Sequence, residues 1–299
     1  MADPRLKFVQ CLGSAGLHRM AYWDWACTGP AGAAAPVLVC VHGLSRQGRD
    51  FDTLARALVD RYRVVCPDVV GRGRSDWLAN PAGYQIPAYV TDMVTLLARL
   101  DVEQIDWVGT SMGGLIGLGL AALPGSPVRR LVLNDVGPAI RFEALQRIGS
   151  YLGQPLRFGS APEGAAYLRT ISQGFGPHSD EQWAALSAPM FKPAAGGDGQ
   201  GEQGLTLHYD PKIALPFAAL TPELAAAGEA TLWRAYDALR CPTLLLRGAE
   251  SDLLTPETAR AMTERGPRAR LHEFAGVGHA PMLVQPEQVA AVREFLGES

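Results

Sequence analysis

The pentapeptide Gly109-Thr110-Ser111-Met112-Gly113 decides the fold of this chain. It follows an apolar run at 105–108, which predicts a short buried strand, and precedes one at 114–122, which predicts a buried helix. In a G-x-S-x-G turn the two glycines allow close backbone approach. The serine is then exposed at the strand end, above the N-terminus of the helix. The chain holds 33 glycines in 299 residues, so a G-x-S-x-G match can arise by chance. The motif indicates a function only if partner residues are found elsewhere in the chain.

Strand and helix patterns alternate on both sides of this turn. A hairpin is predicted first, and a helix with apolar positions 289, 292, 295 and 296 closes the chain. The eight predicted strands lie at 6–10, 17–24, 37–41, 62–66, 105–108, 130–133, 243–246 and 271–274. This rhythm predicts an α/β fold with a mostly parallel eight-stranded sheet and helices on both faces.

Residues 137–240 break the alternation, because they contain four helix-like pieces and no strong strand pattern. Ser179 to Gln182 has the form of a capping box, and Thr221-Pro222 has the form of a helix start. We predict a helical lid at 137–240, inserted after the sixth strand into a core formed by 1–136 and 241–299. The Gly-rich stretch 194–204 predicts a mobile loop.

The composition is that of a soluble globular protein, with 47 % hydrophobic and 19 % charged residues. A net charge of −3 favours neither a nucleic-acid partner nor an anionic membrane surface. The five cysteines are odd in number and scattered, which favours a reducing compartment. The first ten residues lack a signal-like apolar run, and no window is long and apolar enough to span a bilayer. We therefore expect a cytoplasmic monomer or homodimer that acts on a small molecule.

Four polar residues are predicted at the carboxyl ends of strands, where ligands of parallel sheets bind. They are His42, Asp68, Ser111 and Asp135. A serine hydroxyl becomes a nucleophile when a histidine takes its proton and a carboxylate holds that histidine. His279 follows the last predicted strand in a glycine-flanked loop, so it is the predicted base.

The carboxylate has two strand-end candidates. Asp252 follows the strand after the lid, and Asp135 follows the strand before it. Both positions are able to reach the far side of the imidazole ring, and we favour Asp252. Asp135 is then expected to be a structural hydrogen-bond acceptor or a lid-hinge residue, and Asp68 to accept amides of its own loop.

An oxyanion at the serine needs backbone donors. The N–H of Met112, which follows the serine, and that of Leu44, which follows His42 and Gly43, are the predicted pair. His42 is expected to position this loop rather than act as a base. The predicted substrate contacts are His42, Gly43, Arg46, Trp183 and Trp233. For Arg46 a solvated loop is the ordinary alternative, and for the lid aromatics it is packing onto the core.

Together these motifs resemble the α/β-hydrolase family. They are the strand followed by His42-Gly43, D-x-x-G-x-G-x-S at 68–75, G-x-S-x-G, G-x-x-S-D at 248–252 and G-x-G-H at 276–279. The likeness covers 37–135 and 242–296, and within the family it points to the single-lid serine esterase-like group. The resemblance implies a nucleophile elbow, a catalytic triad and an oxyanion hole.

The predicted function is hydrolysis of a small-to-medium carboxylic ester, thioester or lactone through an acyl-enzyme. One alternative is hydrolysis of a carbon–carbon bond in a dienol-type product of aromatic degradation. Related enzymes of that type usually carry Asn before the serine, where this chain has Thr110. Another is a catalytically slow ligand-binding member of the fold. No metal-ligand spacing or phosphate-binding loop appears, so no metal and no cofactor are predicted.

Overall fold

The computed structural model describes residues 3–194 and 204–298. The loop predicted at 194–204 lies almost entirely outside the described residues. Eight strands form one sheet in the order β1-β2-β4-β3-β5-β6-β9-β10. They are β1 (Arg5–Gly13), β2 (Gly16–Trp25), β3 (Val37–Val41), β4 (Arg63–Pro67), β5 (Ile105–Thr110), β6 (Val128–Asn134), β9 (Thr243–Gly248) and β10 (Arg270–Phe274).

The sheet is mostly parallel, as predicted. Only β2 forms antiparallel pairs, with β1 on one side and β4 on the other, so the predicted edge hairpin is present. All other neighbours run parallel. The carboxyl ends of β3, β5, β6 and β9 therefore meet at one edge, and this edge carries the functional residues.

Helices cover both faces of the sheet. They are α1 (Asp52–Leu58), α2 (Ile86–Leu100), α3 (Met112–Ala121), α9 (Pro256–Glu264) and α10 (Pro286–Gly297). All five residues of β3 are buried, and alternate side chains enter opposite cores. Val37, Val39 and Val41 pack in the core that contains α2 and α3, whereas Leu38 and Cys40 pack in the core that contains α1 and α10. This two-sided burial explains the continuous apolar run of the sequence.

The segment between β6 and β9 is mostly helical. It contains α4 (Phe142–Tyr151), α5 (Ala161–Ile171), α6 (Asp180–Ser187), α7 (Leu215–Ala218) and α8 (Pro222–Ala238). It also contains an antiparallel pair that the sequence pattern did not predict, β7 (Phe191–Pro193) with β8 (Leu205–Leu207). The Ser179 capping box and the Thr221 N-cap are both present.

Within the described residues, no helix combines the length and the apolar character needed to cross a membrane.

Candidate active site

Ser111 lies in a sharp turn between β5 and α3. Its backbone has φ 51° and ψ −116°, a strained conformation for a residue with a side chain. The flanking glycines are required by close backbone contacts. A Cβ on Gly113 would lie 1.9 Å from the Val41 carbonyl oxygen, and one on Gly109 would lie 2.2 Å from the Gly113 oxygen. The turn thus presents the hydroxyl at the carboxyl edge of the sheet, as the motif predicts.

A continuous chain of hydrogen bonds connects Ser111, His279 and Asp135. The His279 Nε2 lies 3.0 Å from the Ser111 Oγ, and its Nδ1 lies 2.7 Å from the Asp135 Oδ2. Because a carboxylate only accepts, the network assigns the proton to Nδ1 and leaves Nε2 to accept from the serine hydroxyl. The carboxylate is fully buried, whereas the imidazole is partly exposed, at 14 %.

Asp252 does not contact His279, so the prediction that it orients the histidine is wrong. Its carboxylate instead pairs with Arg147 of α4, at 2.8 Å to Nε and 2.9 Å to Nη2. The Asp252 side chain is 51 % exposed. Asp135 takes the predicted role because β6 lies directly beside β9, with Asn134 paired to Leu246, so its carboxylate enters the space below the imidazole.

Ser251 supports Asp135 and was missed in the sequence. Its hydroxyl donates to the Asp135 Oδ2 at 2.6 Å and accepts the Leu254 N–H at 3.1 Å. The Gly248 N–H donates to the other carboxylate oxygen at 2.9 Å. The strand-end motif therefore supplies Ser251, not its neighbour Asp252, and the signal was the serine inside G-x-x-S-D.

The loop after β3 lies beside the serine. A Cβ on Gly43 would be 3.8 Å from the Ser111 Cβ, and the carbonyl of Leu44 accepts from the Nε of Arg72 at 2.8 Å. Met112 is the first residue of α3, where an amide has no preceding helical carbonyl to bind. The fully buried Arg72, which fixes Leu44, was not identified from the sequence.

His42 holds this loop in place from below. Its Nδ1–H donates to the Gly43 carbonyl at 2.7 Å, and its Nε2 accepts the Val69 N–H at 3.0 Å. The ring is fully buried, and burial lowers its pKa to about 3, so it remains neutral. The predicted substrate contact by His42 is wrong because no part of the ring reaches the cavity. Its predicted positioning role fits these contacts.

Asp68 accepts the amides of Gly48 and Arg74 at 2.8 and 2.9 Å, as expected for an acceptor of loop amides. Burial raises its pKa to about 6.

A cavity opens above Ser111 and His279, between the sheet edge and the helical segment. Its walls include Gly43, Arg46 and, from the segment, residues of α4, α5 and the turn after α5. Gly43 and Arg46 therefore lie where substrate contacts were predicted. Most of the lining area is apolar, and the apolar lining residues include Ile148, Leu168, Ile171, Phe175, Met190 and Met282.

The two predicted tryptophan contacts are not part of this cavity. Trp183 stacks on the back of Phe175, with ring centroids 6.2 Å apart. The ring of Trp233 packs against the Arg265 guanidinium, whose Cζ lies 4.2 Å from the ring centroid. Both side chains pack within or beneath the helical segment, so these two predictions are wrong.

Comparison with protein families matches residues 38–292 to the alpha/beta hydrolase family. The chain belongs to this family. The predicted family and fold are confirmed, since an alpha/beta hydrolase from Novosphingobium aromaticivorans superposes with a TM-score of 0.84. That structure is 34 % identical, and the match covers 99 % of both chains.

Two relatives bear on the reaction. A 3-hydroxybutyrate-oligomer hydrolase from Cupriavidus necator is 58 % identical over 98 % of both chains. A 2-hydroxymuconate semialdehyde hydrolase from a Pseudomonas species is 28 % identical over 81 % of this chain and 79 % of that relative. The predicted enzyme class, a hydrolase of carboxylic ester bonds, is confirmed.

Proposed function

We propose that this protein hydrolyses short oligomers of 3-hydroxybutyrate through an acyl-enzyme formed on Ser111. The observation that carries the proposal is the hydrogen-bonded chain Ser111–His279–Asp135 at the floor of a mostly apolar cavity. The substrate class is supported by the relative that is 58 % identical to this chain over nearly the whole length of both. That relative is a 3-hydroxybutyrate-oligomer hydrolase.

Acylation begins when the Ser111 Oγ attacks the ester carbonyl while the His279 Nε2 takes the hydroxyl proton. The buried carboxylate of Asp135 stabilises the imidazolium that forms. The N–H groups of Leu44 and Met112 are proposed to donate to the oxyanion, each contributing about 3–4 kcal/mol to the transition state. His279 then returns the proton to the departing alcohol, and the acyl group remains on Ser111.

Deacylation repeats these steps with water. His279 takes a proton from the water molecule, whose oxygen attacks the acyl carbonyl. The tetrahedral intermediate collapses, its proton returns through His279 to the Ser111 oxygen, and a free acid leaves. No residue beyond these is required to transfer a proton.

Residues 137–240 are proposed to be a lid that selects the substrate, because α4 and α5 line the cavity opposite the serine. We also propose a cytoplasmic location, which the five free cysteines support. A monomeric or homodimeric state remains a prediction.

The proposal is tested with the purified protein and its Ser111→Ala variant. Wild type should hydrolyse 3-hydroxybutyrate dimer and trimer and be labelled covalently by a fluorophosphonate, whereas the variant should lose at least about 10⁴-fold in kcat and resist labelling. Equal turnover by the two proteins would exclude Ser111 as the nucleophile. Labelling without turnover of either oligomer would retain the nucleophile and reject the substrate class.

A second candidate is hydrolysis of a carbon–carbon bond, which the 28 % identical relative favours. Including 2-hydroxymuconate semialdehyde in the same assay separates the two reactions. The ester proposal predicts that kcat/KM for the dimer exceeds that for the semialdehyde by at least about 100-fold.

A further inference from the structure

Two arginines line the cavity above Ser111, and they differ in how their charge is balanced. Arg46 is buried and holds Asp50 through Nε and Nη2, at 2.7 and 2.6 Å. Its Nη2 also donates to the Leu186 carbonyl at 2.9 Å. Asp50 lines the same cavity, so this pair is neutralised within the wall. Arg46 therefore adds little net attraction for an anion.

Arg147 is different because its counter-ion lies outside the cavity lining. Arg147 lines the cavity from α4, whereas its partner Asp252 belongs to the loop after β9 and is not among the lining residues. The side chains are 45 % and 51 % exposed, and a solvent-exposed ion pair is only weakly held. Asp252 occupies the Nε–Nη2 edge. A guanidinium has a second edge, formed by Nη1 and Nη2, that can bind another carboxylate.

The surroundings of Arg147 favour a ligand that is apolar along its length and anionic at one end. Ile148 follows it on α4, and Tyr151 lies one helical turn further along, so all three line one side of the cavity. Among the described lining residues, Arg147 is the cation whose counter-ion does not share the cavity. An anion that binds Arg147 from the serine side would therefore not need the position of Asp252, whose side chain is already exposed to solvent.

An oligomer of 3-hydroxybutyrate has a fixed direction with respect to its scissile bond. Every ester joins an acyl half, which continues to the hydroxyl end, to an alcohol half, which continues to the free carboxylate. The acyl half is transferred to Ser111. The carboxylate therefore always departs with the leaving alcohol, and at the last ester it stands only two carbons beyond the ester oxygen.

We propose that Arg147 binds the free carboxylate of the alcohol half, so that the enzyme cleaves the oligomer from its carboxyl end. This inference rests on the function proposed above. The contact exists during acylation and ends when the 3-hydroxybutyrate unit leaves. Arg147 therefore contributes to kcat/KM of carboxylate-bearing substrates and makes no contact with the acyl-enzyme.

The test compares 3-hydroxybutyrate dimer with its methyl ester, in which the same chain lacks the charge. In Arg147→Met the ratio of kcat/KM for the acid to that for the methyl ester should fall about 30-fold, as expected for a charge-assisted bidentate pair. Asp252→Asn is the matched control, since it breaks the same surface ion pair and keeps the cation. In this control the ratio should stay level or rise. An equal fall for acid and methyl ester in Arg147→Met would overturn the inference.

A second measurement separates this inference from the proposed substrate. With p-nitrophenyl butyrate as the reporter, 3-hydroxybutyrate should inhibit wild type, and its inhibition constant should rise about tenfold in Arg147→Met. Methyl 3-hydroxybutyrate should inhibit both proteins equally. If wild type does not cleave the dimer, the proposed substrate is wrong and this inhibition still decides the carboxylate site. If the acid inhibits both proteins equally, Arg147 does not bind the carboxylate.

Discussion

The floor and the roof of the cavity are built in different ways. The floor consists of Gly43, Ser111 and His279 at the sheet edge, and the roof consists of the lining residues of α4, α5 and the turn after α5. Helix α3, which carries the floor, buries eight of its ten residues, whereas α4 buries two of ten. Tight packing thus holds the floor in one conformation, whereas fewer buried residues hold the roof. This difference supports the proposal that the floor carries out the chemistry and that the roof selects the substrate.

The largest expected effect separates Asp135, which is buried beneath the floor, from Asp252, which is exposed. Asp135→Asn should lower kcat for p-nitrophenyl butyrate roughly 10⁴-fold, because an amide does not stabilise the imidazolium or fix its tautomer. Asp252→Asn should stay within about threefold of wild type, since it loses only an exposed ion pair. Steady-state kinetics on both variants decide the matter. The reverse ranking would restore Asp252 as the acid.

The next prediction compares a glycine of the floor with one of the helical segment. Gly113→Ala should reduce the free energy of unfolding by at least about 3 kcal/mol, because its Cβ would lie 1.9 Å from the Val41 oxygen. Gly228→Ala in α8 meets no atom within 4 Å and should raise stability by about 0.5–1 kcal/mol. Urea unfolding at pH 7 measures both. Equal changes would mean that the floor is no more tightly packed than the segment.

The third prediction concerns the buried ring beneath the floor. The pKa of His42 is about 3 in the folded protein, against ~6.5 in an unfolded chain. Between these values only the unfolded state binds the proton, so the stability that neutral His42 provides is lost as the pH falls below 6.5. From pH 7.5 to 5.5 this costs about 1–2 kcal/mol.

His42→Gln removes that titration. The free energy of unfolding of wild type, measured in urea, should fall about 1–2 kcal/mol more than that of the variant over the same pH interval. Identical slopes would show that His42 becomes protonated in the folded protein.

The smallest expected effect lies in the roof. Phe175→Ala removes a lining ring, so the ratio of kcat/KM for p-nitrophenyl hexanoate to that for the acetate should rise about tenfold. Trp233→Ala is the control, because that ring packs against Arg265 away from the cavity, and the ratio should change less than twofold. A tenfold change in the control would return Trp233 to the substrate site.

Much of the site followed from residue types at strand ends. The glycines around Ser111, the glycines before His279 and the His42-Gly43 turn each mark a local backbone conformation, and local conformation is encoded by local sequence. Asp252 and Asp135 have equivalent local settings, so no local signal ranks them. The choice depends on which side chain enters the space between neighbouring strands. Ser251 and Asp252 are adjacent in the chain, yet Ser251 contacts the Asp135 carboxylate and Asp252 is exposed to solvent.

The sequence by itself determined the alternation of buried strands and helices, the turn that exposes Ser111 and the loop that carries His279. Each depends on hydrophobic periodicity or on a backbone conformation that only certain residues adopt. Tertiary structure decided the partner of His279, the burial of His42 and the positions of Trp183 and Trp233. Those depend on contacts between residues distant in the chain, such as Asp135 with His279 at 144 positions apart. The pairing of Arg147 with Asp252 is of the same kind, and it places a cation in the roof above the serine.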